Sequence, residues 1–484
     1  MRNDSGDAGM KRFALVLLCC ASFVAVLDTT IVAVALPTLR RELGFSPGSA
    51  QWVLSGYALS FGGLLLLMGR AGDLYGRRRL FVAGLAAFGV ASLLGGLAWA
   101  PWVLVAARLL QGVGGAALVP ASLALVAATF AEGEERNSAM GIYGAMAGVG
   151  FVFGMVLGGV VTEFLGWRWV FFVNVPVAVA VLVLAPAVIR ESKDETSPRS
   201  LDLPGAATVT LGIAALIYAV SEAPHNGWVS PATLGAVGLG AALLCGFVAA
   251  ERRAEEPLMP LEVFRRRALV APNVATVLKS IVGVSQLYVL TLYFQDVLGR
   301  TPLEAGLLFL PMTLSSVVAS PLAGWITTRL GTKWTAALGF AFSAAGVLVV
   351  ASRMTHEGAL VAVLLAMVVA EAGFVAASVP LTIAATGGAL EGERGLASGV
   401  LSTSTELGNA LGWAGVAAVI ATAAASTEGA DALLGGLLWG LSAGIVCAAL
   451  ALVFVLAFMR SEPAASKPKK AGPAGGGGAE AARE

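Results

Sequence analysis

The sequence predicts an all-α integral membrane protein of fourteen transmembrane helices, arranged as two six-helix bundles that are parallel pseudo-repeats plus two inserted helices. Three observations predict this fold class. The 484 residues are 57% hydrophobic and only 13% charged, whereas a soluble domain is usually about 25% charged. Apolar runs of roughly 18 or more residues recur along the chain, which is typical of helices that cross a bilayer. Finally, two sets of residues recur in the same order in both halves.

Each apolar run is predicted to be a helix, because a segment in lipid must satisfy its own backbone hydrogen bonds. The predicted spans are 13–37, 51–69, 80–99, 101–126, 139–162, 169–189, 204–221, 231–250, 268–294, 304–327, 333–352, 358–386, 396–424 and 432–459.

The orientation follows from the basic residues between these spans. Of the 31 Lys and Arg residues, about 24 lie on the same side as the N-terminus and about 5 on the other side. Basic residues concentrate in cytoplasmic loops, so both termini are predicted to be cytoplasmic. We expect a multi-pass protein of the plasma (inner) membrane. The abundance of Arg, Ala and Gly suggests a bacterial source.

The internal repeat divides the chain. The first set, Gly69, Asp73 and Gly76, matches Gly324, Thr328 and Gly331 at the same spacing. The second set, Arg136, Gly141, Gly150 and Gly154, matches Arg394, Gly399, Gly408 and Gly412. Two six-span halves around a central site are typical of transporters. The predicted units are a cytoplasmic N-terminus at 1–12, an N-terminal bundle at 13–190, a linker with two extra spans at 191–266, a C-terminal bundle at 267–460 and a disordered tail at 461–484.

Asp28 lies near the middle of the apolar run FVAVLDTTIVAVALP, Phe23 to Pro37. A charge at mid-membrane costs about 2.5–3.5 kcal/mol on insertion scales, and a carboxylic acid avoids that cost by binding a proton. We interpret Asp28 as a proton site. The alternatives are a permanent ion pair, or a cap, together with Thr29 and Thr30, of a break in the helix.

Arg108 is the predicted partner of Asp28. At about 1.5 Å per helical residue, Asp28 lies roughly 12 Å and Arg108 roughly 9 Å from the outer ends of their spans. These similar depths predict a contact that protonation of Asp28 would break. A fixed tether between spans 1 and 4 is the alternative.

Lys279, Glu371 and Glu406 lie near the midplane of spans 9, 12 and 13, about 11–13 residues into each. One cation and two acids at one depth predict one ion pair and one unpaired acid. The unpaired acid would be a second proton site or a contact for a cationic substrate. A purely structural cluster is the alternative.

Six short motifs occur in order along the chain: LDTTIVAVALPTL, GRAGDLYGRRRLF, RLLQGVGGAALVP, GWRWVFFVNVP, PLMPLEVFRRR and GRTPLEAGLLFLP. Together, over about residues 12–460, they resemble the motifs of the major facilitator superfamily, in its fourteen-span drug:proton antiporter branch.

The resemblance implies a cytoplasmic latch between spans 2 and 3 that stabilises an outward-open state. Its residues would be Gly69, Gly72, Asp73, Gly76, Arg77, Arg78 and Arg79. The glycines permit a tight turn and close helix ends, and the carboxylate can accept from a helix N-terminus or an arginine. Simple anchoring of the loop by its positive charges is the alternative.

The resemblance also assigns the span 5 glycines to an antiporter motif in which small residues permit close helix packing. These are Gly141, Gly150, Gly154, Gly158 and Gly159. Met155 stands where that motif usually has proline, so the bend that proline would impose is not expected.

These features predict a proton-coupled efflux transporter that exports small apolar or cationic drugs or secondary metabolites by alternating access, and so confers antibiotic resistance. A proton-coupled nutrient importer is the alternative, and a lipid transporter is a weaker one. No phosphate-binding loop, metal-ligand cluster or catalytic motif occurs in the sequence, so we expect no enzyme activity, cofactor or metal. The expected partners are the substrate, protons and the lipid bilayer, not nucleic acid, and the expected state is a monomer.

Overall fold

The structure is a computed structural model. It describes residues 4–46, 49–130, 134–192, 202–254, 266–356, 359–387, 394–425 and 431–459. These residues form helices and no strand. The predicted tail, 461–484, lies outside the described residues, as do 193–201 and 255–265 of the predicted linker.

The helices in chain order are α1 (Asp4–Leu43), α2 (Trp52–Tyr75), α3 (Arg77–Gly96), α4 (Pro101–Thr129), α5 (Glu134–Phe164), α6 (Trp169–Phe172), α7 (Asn174–Val188), α8 (Leu203–Asn226), α9 (Pro231–Arg253), α10 (Arg267–Leu292), α11 (Pro302–Leu308), α12 (Leu310–Arg353), α13 (Leu360–Gly387), α14 (Arg394–Ala425) and α15 (Asp431–Phe458). A π-helical turn, Tyr293–Val297, extends α10.

Twelve segments in the described part are long and apolar enough to cross a membrane. A shorter apolar helical stretch, Trp52–Leu65, corresponds to predicted span 2, and one 52-residue segment, Pro302–Arg353, contains both predicted spans 10 and 11. The number fourteen therefore stays a prediction. Helix α1 starts earlier than predicted span 1 and ends later, so it includes Arg40 and Arg41.

Several helices begin with residues suited to satisfy free backbone N–H groups. The Asp202 side chain accepts from the N–H of Gly205 at the start of α8, at 2.8 Å. Thr301 and Glu304 form a reciprocal capping box at the start of α11. Such caps satisfy donors that the first helical turn leaves unpaired.

Gly76 and Gly331 occupy matched positions in the two halves, and both have a positive φ angle where a helix is interrupted. Their φ angles are 111° and 80°, which residues with a Cβ rarely adopt. Gly76 separates α2 from α3, and Gly331 interrupts α12 at the corresponding point. The repeat in the sequence is thus a repeat in backbone conformation.

Matched glycines also make matched helix contacts. A Cβ at Gly150 would lie 2.8 Å from the carbonyl oxygen of Phe23 on α1, and a Cβ at Gly408 would lie 2.5 Å from that of Val277 on α10. Helix α5 therefore packs on α1 as α14 packs on α10. The inserted helix α8 packs against α9 and also contacts α2 and α14, one helix from each half.

The two ends of the bundle differ in how the halves meet. At the end where α1 stops and α11 starts, one buried hydrophobic cluster includes Leu39 of the N-terminal half and Phe309 of the C-terminal half. We call this the sealed end. Toward the opposite end, one buried cluster contains Leu18 and Leu125 of the N-terminal half alone, and another contains Phe340 and Val455 of the C-terminal half alone.

Candidate functional site

The Asp28 carboxylate lies in the middle of α1 and is fully buried. Arg108 Nη1, from α4, donates to its Oδ2. Gln111 Nε2, also from α4, and Asn174 Nδ2, from α7, each donate to its Oδ1 at 2.7 Å. Helix α1 is continuous through Asp28, so this carboxylate caps no helix end. The structure thus brings Asp28 and Arg108 into direct contact.

The Arg108 guanidinium is also fully buried. Its Nε donates to the carbonyl oxygen of Val53 at 2.7 Å, and its Nη1 donates to Gln111 Oε1 at 2.7 Å. The guanidinium carbon lies 4.4 Å from the centre of the Tyr57 ring, a cation–π geometry. Among the described residues Nη2 has no hydrogen-bond partner. These contacts fix the plane of the guanidinium against the carboxylate.

Three uncharged polar residues complete this site, and the sequence analysis missed all of them. Gln111 and Asn174 contact the carboxylate, and the Ser92 hydroxyl on α3 accepts from Gln111 Nε2 at 2.8 Å. All three are buried. Gln111 and Asn174 lie inside the motifs RLLQGVGGAALVP and GWRWVFFVNVP, so a polar residue in an otherwise apolar stretch was the available signal.

Lys279 and Glu371 lie within the C-terminal half, on α10 and α13, and their opposite charges attract each other. No ion pair between them within 4.0 Å appears among the described residues. Instead, Lys279 Nζ lies 4.9 Å from the centre of the Phe374 ring on α13. The expected ion pair is therefore not a direct contact. Lys279 and Glu371 attract each other over a longer distance, and the ring of Phe374 lies beside the Lys279 ammonium group.

Glu406 is the acid of this group that faces the other half. A Cβ at Gly62 of α2 would lie 2.6 Å from the Cβ of Glu406, so α14 and α2 pack closely there. Its carboxylate accepts from Asn409 Nδ2 at 3.3 Å. Glu406 thus packs against α2, whereas Lys279 lies beside Phe374 of α13. The structure thus separates Glu406 from the other two.

The residues of the predicted latch contact the end of α7, within their own half. Glu191 Oε1 accepts from the backbone N–H of Arg78 at 2.9 Å, and Glu191 Oε2 lies 3.8 Å from Nε of both Arg78 and Arg79. The Arg77 backbone N–H donates to Ser192 O at 2.9 Å. Glu191 was not predicted, because its place beside the start of α3 depends on how α7 packs.

The three glycines of the predicted latch lie at close contacts with neighbouring residues. A Cβ at Gly72 would lie 3.3 Å from Leu80, and a Cβ at Gly69 would lie 4.0 Å from Pro120. A Cβ at Gly76 would meet the Glu191 carboxylate at 2.8 Å. The side chain of Asp73 lies outside the part that the structure describes.

Four of the five span 5 glycines lie at close helix contacts. A Cβ at Gly154 or Gly158 would collide with or crowd α1, and one at Gly159 would lie 2.5 Å from Pro302 O of the other half. Gly141 differs from the expectation, because a Cβ there would meet nothing within 4 Å. Gly141 is exposed, whereas Ala139 and Tyr143 beside it on α5 are buried against the N-terminal half, so Gly141 has no packing role in this conformation.

Charged residues of the two halves meet at the sealed end, and this contact was not predicted from the sequence. Arg40 Nη2 and Arg41 Nη1 donate to the two carboxylate oxygens of Asp296, at 2.9 and 3.0 Å. Nearby, Gln295 Nε2 donates to Val34 O at 2.8 Å. We call Arg40, Arg41 and Asp296 the sealed-end ion cluster.

Comparisons with known proteins agree with this architecture. The sequence model of the Major Facilitator Superfamily matches residues 18–293 and 273–482. The chain is 38% identical to the puromycin resistance protein pur8 of Streptomyces alboniger, over 84% of this chain and 81% of that protein. It is 38% identical to the cephamycin export protein CmcT of Amycolatopsis lactamdurans, over 87% of each chain.

The fold also resembles that of a solved structure. A bacterial homologue of the human lysosomal transporter Spinster, in an inward-facing and occupied conformation, superposes with a TM-score of 0.67 at 15% identity, over 92% of this chain and 96% of that one. At that identity the similarity concerns the fold alone. Family model, curated relatives and helical architecture agree, and the chain belongs to the major facilitator superfamily.

Proposed function

We propose that this protein exports small apolar or cationic molecules, such as drugs or secondary metabolites, in exchange for protons. The relatives named for puromycin resistance and cephamycin export support the direction and the substrate class. Alternating access between two bundles is the corresponding mechanism. The protein works as a transporter without catalysis or cofactor, as a monomer in the bacterial inner membrane with both termini in the cytoplasm.

The observation that carries proton coupling is the set of contacts around Asp28. All three side chains that contact the carboxylate act as donors, and one of them carries a positive charge. This arrangement fits an ionised carboxylate. A proton on Asp28 removes the charge that attracts Arg108 and adds an O–H group that needs an acceptor, so protonation and this arrangement of the site exclude each other.

The state of the two bundle ends supports a direction for the cycle. With the N-terminus in the cytoplasm, the sealed end would face outside, and the separate clusters of the two halves at the opposite end favour an inward-facing form. An exchanger driven by protons entering from outside must hold the ionised acid in that form, after the proton has left to the cytoplasm. Protonation of Asp28 from outside would then accompany release of the substrate.

The other charged residues have proposed parts in the same cycle. Glu406 lies where α14 meets α2, so a cationic substrate or a second proton bound there would act between the halves. Lys279 and Glu371 would keep the C-terminal half electrically balanced. The GRAGDLYGRRRLF segment would close the cytoplasmic end in the outward-open form, with Asp73 as its acceptor.

Everted membrane vesicles with an imposed proton gradient test the proposal. We expect wild-type protein to move a fluorescent cationic dye into the vesicle lumen when the lumen is acidic, and to stop when the gradient is collapsed. The Asp28→Asn variant should lose at least about tenfold of this gradient-driven uptake, because its amide cannot exchange a proton. Thermal unfolding in detergent checks that the variant is folded.

Asp431→Asn is the matched control. Asp431 is an exposed acid that pairs with His356 at 2.9 Å within the C-terminal half, and its variant should transport at the wild-type rate. Equal transport by wild type and Asp28→Asn would refute proton coupling at Asp28. Gradient-driven movement in the opposite direction would favour the importer.

A further inference from the structure

We infer that Asn174 follows the protonation state of Asp28 by turning its side-chain amide, so that it donates to the carboxylate and accepts from the carboxylic acid. Asn174 is a positioning residue in this scheme, because it acts through Asp28. The inference rests on the proposed function, since it requires that Asp28 bind and release a proton.

The first observation is an unpaired atom on Asn174 itself. Its Nδ2 donates to Asp28 Oδ1 at 2.7 Å, and the residue is only 1% exposed. Its Oδ1 is buried and has no hydrogen-bond partner among the described residues. A buried acceptor without a donor is costly, and natural proteins keep few of them. The atom therefore points to a donor that is present in another state of the site.

The second observation is that the neighbouring amide cannot do the same. Gln111 Oε1 accepts from Arg108 at 2.7 Å, while its Nε2 donates to Ser92 at 2.8 Å and to Asp28 at 2.7 Å. Both ends of that amide are held, so reversing it would break three hydrogen bonds. Reversing Asn174 breaks one strong hydrogen bond, to Asp28, and a longer contact to Ser92 at 3.4 Å.

The rearrangement is a proton transfer followed by a rotation. A hydronium ion gives its proton to Oδ1 of Asp28 and leaves as water. Asp28 becomes a neutral acid, and its O–H then faces the N–H of Asn174. Rotation of the Asn174 amide by about 180° exchanges nitrogen and oxygen, which have nearly the same size. The acid O–H then donates to Asn174 Oδ1, while Gln111 continues to donate to the same acid oxygen. No covalent bond of Asn174 changes.

Few other groups at the site can titrate. Arg108 on α4 stays charged, and Tyr57 on α2 lies with its ring against Arg108. The contacts from α3 and α7 are through Ser92 and Asn174, which do not titrate, and α5 presents glycines to this part of α1. At the far end of α1, the extension of α10 carries Asp296, which belongs to the sealed-end ion cluster. Asp28 is thus the group of this site on which the inference places the proton.

Infrared difference spectroscopy on the full-length protein in liposomes tests the inference. The probe is the proton itself, varied through the buffer pH, on protein labelled with ¹³C at the asparagine side-chain carbonyl. We expect wild type to show a carboxylic acid band that Asp28→Asn abolishes. We also expect a ¹³C-amide band that changes with the same pH midpoint and is absent in Asn174→Leu.

Transport gives a second readout. Asn174→Leu should lower the rate of proton-driven transport about tenfold. This is the change that corresponds to the free energy of one lost hydrogen bond to a charged group. Asn273→Leu should stay within about twofold. Asn273 is a matched control, because it is a buried amide on α10 that donates to Leu269 O at 2.7 Å and accepts from Ser404 Oγ at 3.0 Å, away from Asp28.

The outcomes separate the inference from the function on which it rests. A carboxylic acid band from Asp28 without an accompanying amide band from Asn174 would overturn the inference and leave proton coupling at Asp28 intact. The absence of any band removed by Asp28→Asn would overturn both. In wild type alone, an acid band and a ¹³C-amide band with one shared pH midpoint support the inference, and an acid band without such an amide band overturns it. The two variants assign each band to its residue.

Discussion

The sealed-end ion cluster should set how readily the sealed end opens. Asp296 holds Arg40 and Arg41 of the opposite half, and its carboxylate side chain is only 9% exposed. The two halves cannot separate at this end while both contacts persist. We therefore predict that Asp296→Asn shifts the protein toward the form that is open at the sealed end.

The size of the shift follows from the exposure of each contact. The Arg41 side chain is 55% exposed, so its pair with Asp296 contributes below about 1 kcal/mol. The Arg40 side chain is 26% exposed, and a partly buried charged hydrogen bond is worth somewhat more. Asparagine keeps one acceptor oxygen and loses the charge. We expect a change of about 1–2 kcal/mol, which is about a 5- to 30-fold change in the ratio of the two forms.

Distances between spin labels at Ser46 and Leu307 would measure this ratio. The two positions are exposed, lie near the sealed end and belong to opposite halves. The four native cysteines must first be replaced, because all of them are free thiols. Wild type should give mainly a short label-to-label distance, with a small population at a longer distance. Asp296→Asn should enlarge the population at the longer distance.

The control for this experiment is Asp431→Asn, since Asp431 pairs with His356 within one half. Its distance distribution should match that of wild type. An unchanged distribution in Asp296→Asn would refute the reasoning that these ion pairs hold the sealed end together.

Three further substitutions test helix packing and the hydrogen bonding at the start of α3. Gly154→Ala should lower the stability measured by thermal unfolding by about 1–3 kcal/mol, because its Cβ would collide with Thr30 of α1. Gly141→Ala should raise that stability by up to about 1 kcal/mol, because alanine has the higher helix propensity. Equal effects of the two substitutions would contradict the packing described. Glu191→Ala should speed hydrogen exchange of the Arg78 amide about fivefold, because it removes an anionic partner worth about 1 kcal/mol at a helix N-terminus. Unchanged exchange would show that Glu191 does not stabilise the first turn of α3.

Some features were predictable because they depend on local properties of the chain. Hydropathy placed the membrane helices, and glycines at constant spacing predicted the repeat that Gly76 and Gly331 display in their backbone angles. The depths of Asp28 and Arg108 followed from the fixed rise of a helix, and the two side chains are in contact. Whether Asp28 exchanges a proton stays a prediction.

The sequence by itself determined a membrane-embedded helical repeat with one acid and one arginine at similar depth. Only the tertiary structure decided that Gln111 and Asn174 share the Asp28 carboxylate, and that Asp296 binds arginines of the other half. The physical reason is that hydropathy and helical rise fix where a residue lies along the membrane normal. The neighbour that a side chain meets depends on the rotation and packing of separate helices, which contacts distant in the sequence determine together.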